Sequence, residues 1–579
     1  MVKTSTSTLL VVVALANTAT ATASTANPNL RWASSGGGWR SMVADMGYAN
    51  IFQKAGFLGD GANTQFGAIS TSSGGSWFST QLFYDQFFFD KVTFDAPNAL
   101  YDYVREWMQS YYDYQQDMKS NPECDVFGNL TKVFPALSEL EGLCNIFVDY
   151  NGSWAVFVEG MLQNAPLNNT DFVNTPADPQ HKIASLASTD LLIQTSLTPV
   201  SRIRETSELV YITPSSSLSG ENLRRRGTKT SVYAVPIGLQ YAVKDDSTLF
   251  YYAIGDMSLE TVVGPAPEDF AFDDYRNYFL YPPTDGTVLT SVPSEEVTSP
   301  GPFDAPFGGS PTVSQVAAAS SATIGDLSGV VNSVLAQYFS TVLYSASENK
   351  TMPVKEIIKS GMEDVVNVIY QHPMFVDIAV CSEWPSSCGG TNGRLIDGSF
   401  TDGTTVALNV GQLHSVDNGN LNETMKLIVT SNNYYTDTDV NVLMYFDTNF
   451  NEDVAPGDFI WAPATGAVDV ARPVPFRSPQ VFETYLNETM LENLEEEVPG
   501  TNLTTAVIEA VTTENAAFGI KKGQKVEILL LKINSNIPTT IIGKYDTNKY
   551  ITPLSELAET ISSSGALLDR VNDFLNSTA

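Results

Sequence analysis

The sequence predicts an α/β fold with a largely parallel central sheet, and three observations carry that expectation. Between residues 29 and 80 an apolar, strand-like run followed by a tight turn and a helical pattern occurs twice. Late in the chain, Met425 to Val429, Asn441 to Phe446 and Val526 to Leu531 are apolar on nearly consecutive residues, as strands covered on both faces require. Hydrophobic residues make up 43% and aromatics 11% of 579 residues, enough for a sizeable core, and no fixed-period repeat suggests a solenoid.

The first element is a leader. Lys3, the apolar block Leu9 to Ala16 and the Ala/Thr run to Ala23 stand in the order of a secretory signal, so 1–23 reads as a signal peptide. The apolar block is too short to span a bilayer, and no later run of about eighteen apolar residues occurs, so no transmembrane segment is expected. A secreted protein, or one in the endomembrane lumen, is the corresponding expectation. Sequons at Asn129, Asn151, Asn168, Asn349, Asn422, Asn487, Asn502 and Asn576 suit that route as glycosylation acceptors. Four cysteines suit an oxidising compartment, with local disulfides Cys124–Cys144 and Cys381–Cys388 favoured by loop length but not required.

Next, a strand at Leu30 to Ser34 runs into Ser35-Gly36-Gly37-Gly38, and Met42, Val43, Met46, Ile51 and Phe52 then repeat at roughly helical spacing. Phe66 to Ile69 leads in turn into Ser73-Gly74-Gly75 and the aromatic-rich Trp77 to Phe89. Phe83, Tyr84, Phe87, Phe88 and Phe89 read as core rather than as an acyl-chain pocket. Residues 84–320 are expected to be an insertion or cap, with strands at Ser231 to Tyr241 and Thr248 to Ile254 and a Pro/Gly/Ser-rich loop or lid hinge at 282–315. Order returns at Val316 to Ala322 and an amphipathic stretch through Val330, Val331, Val334 and Leu335. Gly393 to Ile396 is a strand ending in Asp397-Gly398.

Charge narrows the function. Lys and Arg total 31 against 65 Asp and Glu, a net charge of -34, which repels nucleic acid. The same field opposes an anionic membrane, so any lipid met near neutral pH without divalent cations is zwitterionic, monomeric or micellar.

Acyl transfer needs a hydroxyl on a sharp turn, a base beside it, and donors aimed at the oxyanion. Ser73 offers the first at a strand-to-helix turn. Gly36, Gly37 and Gly38 offer the donors, because the free amides and positive dipole end of a helix start both face negative charge. Arg40, in that helix's first turn, adds a cation for the loop itself or for a substrate phosphate.

Ser35-Gly36-Gly37-Gly38-Trp39-Arg40 followed by Ser73-Gly74-Gly75-Ser76-Trp77 resembles the paired motifs of the patatin, cytosolic phospholipase and fungal lysophospholipase superfamily. Ala319-Ser320-Ser321-Ala322 resembles its Ala-Ser-Ser-Ala helix, and Asp397-Gly398-Ser399 its Asp-Gly turn. The resemblance implies a three-layer α/β/α sandwich spanning 24–579 and a Ser-Asp dyad without cofactor or metal. By carry-over Ser73 is the nucleophile, Asp397 the base, the Gly36 to Gly38 loop the oxyanion hole, and phospholipids or lysophospholipids the substrates, with transient contact at a lipid surface.

Three points depart from that pattern or leave it open. Thr71 stands where the family has Gly two residues before the nucleophile, and a β-branched side chain there crowds the turn. Asp402-Gly403 is a second Asp-Gly pair, which makes Asp402 the alternative base. His414 follows both acids, in the order of a Ser-Asp-His triad esterase. His181 and His372 lack zinc-ligand spacing, and Glu495 to Glu497 lack calcium-loop spacing. A non-catalytic, lipid-binding glycoprotein on the same scaffold is the remaining reading.

Overall fold

The structure is a computed structural model. It describes residues 26–59, 65–116, 154–199, 232–234, 237–243, 249–253, 263–265, 302–303, 312–321, 376–378, 393–398, 404–416, 421–432, 481–483, 493–514, 520–534, 537 and 547–577. The leader, the four cysteines, His372, Ser399, Asp402, the strand expected at 441–446, the stretch 330–335 and most of 282–315 lie outside the described residues. So do the sequons at Asn129, Asn151, Asn349 and Asn487.

The elements are β1 (Ala26–Ser34), α1 (Gly38–Lys54), β2 (Gln65–Ser72), α2 (Gly74–Tyr84), α3 (Gln86–Thr93), α4 (Ala99–Gln116), α5 (Trp154–Gln163) and β3 (Asp190–Pro199). There follow β4 (Val232–Ala234), β5 (Ile237–Val243), β6 (Leu249–Ala253), β7 (Val263–Pro265), β8 (Pro302–Phe303), α6 (Val313–Ser321), β9 (Val376–Ile378), β10 (Gly393–Asp397) and α7 (Val406–Val416). The chain closes with β11 (Met425–Ser431), β12 (Glu496–Glu497), β13 (Leu503–Val511), β14 (Lys525–Ile533), α8 (Thr547–Ser562) and α9 (Gly565–Asn576).

Among the described residues a 12-stranded sheet runs β12-β13-β14-β11-β1-β2-β3-β5-β6-β8, with β10 paired to β3 and β9 to β10. Its centre, β14-β11-β1-β2-β3, is parallel throughout. The flanks are antiparallel on both sides. Every residue of β2 is buried, whereas Val507 and Glu509 of the flanking β13 face solvent. This is the difference between strands covered on two faces and on one.

Side-chain alternation along β1 shows the layers. Trp32 points to one face and packs on Phe52 of α1 and Phe78 of α2, with ring centroids 4.9 and 5.9 Å away. Ala33 points to the other and joins Leu427, Val429, Ile528 and Leu530 in a core with Val406, Val410 and Leu413 of α7. Each fully buried Val, Leu, Ile or Phe among them contributes about 1.5–3 kcal/mol. Helices therefore cover both faces, and the chain is an α/β protein.

Part of the stretch expected as a cap is built into this core. β3, inside 84–320, is a member of the parallel set, and β5 and β6 extend the sheet beyond it. α4 contributes Trp107 to a buried aromatic cluster with Trp39. The physical reason is β2: an internal parallel strand needs a second neighbour for its backbone groups, and residues 190–194 supply it.

β1 lies between β2 and β11, reached over opposite faces of the sheet. The chain directions therefore diverge at the carboxyl end of β1, the location where open α/β sheets form their crevices.

Candidate active site

β2 ends at Ser72 and α2 begins at Gly74, so Ser73 alone makes the turn, with φ 53° and ψ −127°. A non-glycine residue in such a sparsely populated region costs on the order of 1–3 kcal/mol, a strain concentrated at functional sites. Serine is a favoured helix cap, yet Ser73 makes no side-chain cap bond. Its backbone N–H donates instead to Ser320 Oγ of α6 at 3.1 Å. The crowding expected from Thr71 is accommodated: its hydroxyl bonds Ser79 Oγ of α2 at 2.7 Å. Across from it stands Gly75, where a β-carbon would lie only 3.3 Å from that of Thr71.

The glycine loop sits at the end of the neighbouring strand. Gly37 and Gly38 have φ of 144° and 56°, and α1 starts without a side-chain cap. Ser35 anchors the loop, its N–H donating to the Thr430 carbonyl at 3.0 Å and its hydroxyl accepting from the Asn432 N–H at 2.9 Å. Trp39, the second residue of α1, and Trp77, the fourth of α2, pack with centroids 4.7 Å apart and tie the first turns of the two helices together. Arg40 is buried; its Nε–H donates to the Asn432 carbonyl and its NH1 to the Ile537 carbonyl at 2.8 Å. Asn432 is also the residue that bonds Ser35 at the start of the loop.

The acid arrives by strand register. β3 pairs β5 along one edge; on its other edge Ser72 of β2 lies opposite Gln194, and Asp397 of β10 opposite Thr195. β2 and β10 thus meet tip to tip at successive positions of β3, which are about 3.3 Å apart along a strand. Thr71 and Asp397 share a face of the sheet, because their partners Ile193 and Thr195 are two residues apart. This is the face that α2 covers. Asp397 is fully buried, and Gly398 passes so close that a β-carbon on it would lie 2.6 Å from Ser72 Oγ. Thr195 Oγ1, across from Asp397, is buried with no hydrogen-bond partner among the described residues.

His414 is elsewhere. α7 runs from the crevice toward the opposite end of the sheet, where His414 Nε2 meets Gln524 Oε1 at 2.7 Å and Nδ1 accepts the Lys521 N–H at 2.9 Å. Gln524 in turn meets Asn29 near the start of β1. From Asn29 to Ser34 is about 17 Å of extended chain. Burial pulls the His414 pKa down, and an Nδ1 that accepts a hydrogen bond carries no proton, so the contacts give the ring a structural role. The triad reading is corrected accordingly: both nitrogens are engaged far from Ser73. His181 is on the surface beside Asp178.

Three residues near the crevice escaped the sequence reading. Asp45 of α1, fully buried, accepts from Ser34 Oγ at 2.7 and 2.8 Å and from Asn432 Nδ2 at 3.1 Å, and burial pushes its pKa up to about 7. A lone acid among Met42, Val43, Ala44 and Met46 is the signal that could have found it. Ser320 and Gln194 were the others. Ser320 belongs to the Ala-Ser-Ser-Ala stretch, which assigns it no role, and nothing marks Gln194 after the apolar run Leu191-Leu192-Ile193.

Phe83, Tyr84, Phe88 and Phe89 are buried in the core, with Phe87 partly so. Among the described residues no group of three His, Cys, Asp or Glu could hold a metal ion, and no helix is long and apolar enough to cross a membrane.

No protein-family model matches the chain, and no curated protein matches it in sequence. Among solved structures the chain is similar to human GIVD cytosolic phospholipase A2, at 12% identity and a TM-score of 0.34. That alignment covers 94% of this chain and 59% of that one, so the chain spans less than two thirds of that protein's length.

Proposed function

We propose that the protein is a secreted serine acyl hydrolase that cleaves carboxylic esters of phospholipids or lysophospholipids through a Ser73–Asp397 dyad. The observation that supports this reading is the tip-to-tip meeting of β2 and β10 on β3, which sets the strand end just before a strained, uncapped serine beside the strand end that carries a buried aspartate. In the reaction Ser73 Oγ attacks the ester carbonyl while Asp397 takes its proton. Amides of the Gly36 to Gly38 loop stabilise the oxyanion. Asp397 returns the proton to the departing alcohol; water then attacks the acyl-enzyme, giving one proton to Asp397, which passes it to Ser73 as the acid leaves. Arg40 acts as a support of the loop, since its guanidinium is engaged with main-chain carbonyls.

Secretion is supported by the leader and by the sequons. Within the described residues the acceptors Asn168, Asn422, Asn502 and Asn576 are all exposed, as glycan attachment requires. The acidic surface favours zwitterionic or micellar substrates.

Hydrolysis of a phosphatidylcholine, phosphatidylethanolamine and lysophosphatidylcholine panel by the wild type and Ser73→Ala tests the proposal. Release of fatty acid that disappears in Ser73→Ala supports it. Lipid binding with no hydrolysis by the folded wild type would favour the non-catalytic reading.

A further inference from the structure

Gln194 sits where the nucleophile turn and the acid turn are joined. Its main chain pairs with Ser72, the residue before the candidate nucleophile. Its carbonyl accepts from Ser320 Oγ at 2.7 Å, and the same Ser320 oxygen accepts the Ser73 N–H at 3.1 Å. On the acid side, Gln194 Nε2 donates to the Gly398 carbonyl at 2.7 Å, one residue beyond Asp397. The turn is pressed against the same residue: a β-carbon on Gly398 would lie 2.5 Å from the Gln194 carbonyl oxygen. Side chain, carbonyl and strand register of one residue therefore hold both ends of the dyad.

This residue is a costly choice for a parallel strand core. Gln194, Ser320 and Gly398 are all buried, and taking a side-chain amide out of water is costly, a cost that the Nε2–H bond to the Gly398 carbonyl offsets in part. A hydrocarbon side chain would serve packing alone equally well, but would leave the Gly398 carbonyl without its donor. The strained φ of Ser73 has the same implication: a turn of high local energy keeps its geometry only if its surroundings over-determine it.

We propose that Gln194, relayed through Ser320, is a positioning residue that sets the distance between the Ser73 hydroxyl and the Asp397 carboxylate. It touches neither the substrate nor the reacting atoms. This inference rests on the proposed dyad, and its test separates the two.

The probe is a fluorophosphonate, whose labelling rate reads the activation of a serine, together with kcat and KM for p-nitrophenyl butyrate. Gln194→Met keeps the length and removes the donor; Ser320→Ala breaks the relay from the other side. Each should lower kcat and the labelling rate by about tenfold to hundredfold, with KM within about twofold, since a misplacement of an ångström is enough for such losses. Gln194→Glu adds a readout that packing does not move. A neutral glutamic acid can donate to the Gly398 carbonyl and a glutamate cannot, so its activity relative to wild type should be near parity at low pH and fall as pH rises. Wild-type labelling that is absent, or that survives Ser73→Ala, would overturn the dyad itself. Normal Ser73 labelling by wild type together with wild-type rates in folded Gln194→Met or Ser320→Ala, or a flat pH ratio for Gln194→Glu, would overturn the role of Gln194 alone.

Discussion

Gly38 and Gly74 touch: a β-carbon on Gly74 would lie 2.6 Å from the Cα of Gly38 and closer still to its carbonyl oxygen. The first residue of the elbow helix and the last glycine of the loop are thus fitted backbone to backbone. The candidate nucleophile and the candidate oxyanion donors consequently have fixed relative positions.

Gly74→Ala is therefore expected to abolish the proposed activity. The methyl group meets main chain, which cannot rotate away, so the loop or the elbow must shift. Esterase activity should fall at least a hundredfold, and the thermal midpoint should drop as well. Circular dichroism and a chromogenic ester assay on the purified variant check both.

Two aspartates compete for the role of base, and Asp397 has the buried, strand-held position. General base catalysis contributes about 10²–10⁴-fold. Asp397→Asn should lose activity within that range, while Asp402→Asn retains most of it. Loss in Asp402→Asn alone would exchange the two.

His414→Gln separates dyad from triad. Activity of the folded variant should stay near wild type, because the imidazole lies at the far end of the sheet. Stability should fall by about 1–3 kcal/mol, since the buried partners Gln524 and Lys521 lose a fitted group. Urea unfolding and steady-state kinetics on one preparation read both effects.

Asp45 gives a pH dependence of known sign. Burial raises its pKa from 3.8 in the unfolded chain to about 7 in the folded one, although Ser34, Asn432, Ser41 and Thr430 oppose the shift. The folded state thus holds the proton more tightly. This contribution to stability is fully present below about pH 4 and is lost as pH rises toward and through 7, at about 1.4 kcal/mol per unit in between. Asp45→Asn should flatten that decline. An unchanged slope in denaturant midpoint against pH would exclude the assignment.

What the sequence disclosed was local. Triglycine followed by a helical pattern, a serine between an apolar strand and two glycines, and an aspartate ending a strand are each written within a few consecutive residues, because turn geometry restricts residue type there. Gln194 was invisible because its role depends on register between strands about 120 and 200 residues distant in the chain. Arg40 could be named, but whether it faced a carbonyl or a substrate phosphate depended on Asn432 and Ile537, which no local pattern connects to it. That β3, within 84–320, belongs to the central sheet was illegible for the same reason: its pairing with β2 is non-local, and composition alone does not distinguish a core strand from one in an added layer.

The most direct measurement is peptide mapping by mass spectrometry after reaction of the wild type with a fluorophosphonate. A single phosphonylated residue at Ser73, formed at a rate that falls sharply in Asp397→Asn, is the predicted result. An adduct on another serine, or equal labelling with and without the Asp397 carboxylate, would contradict the claim that these two side chains form one catalytic unit.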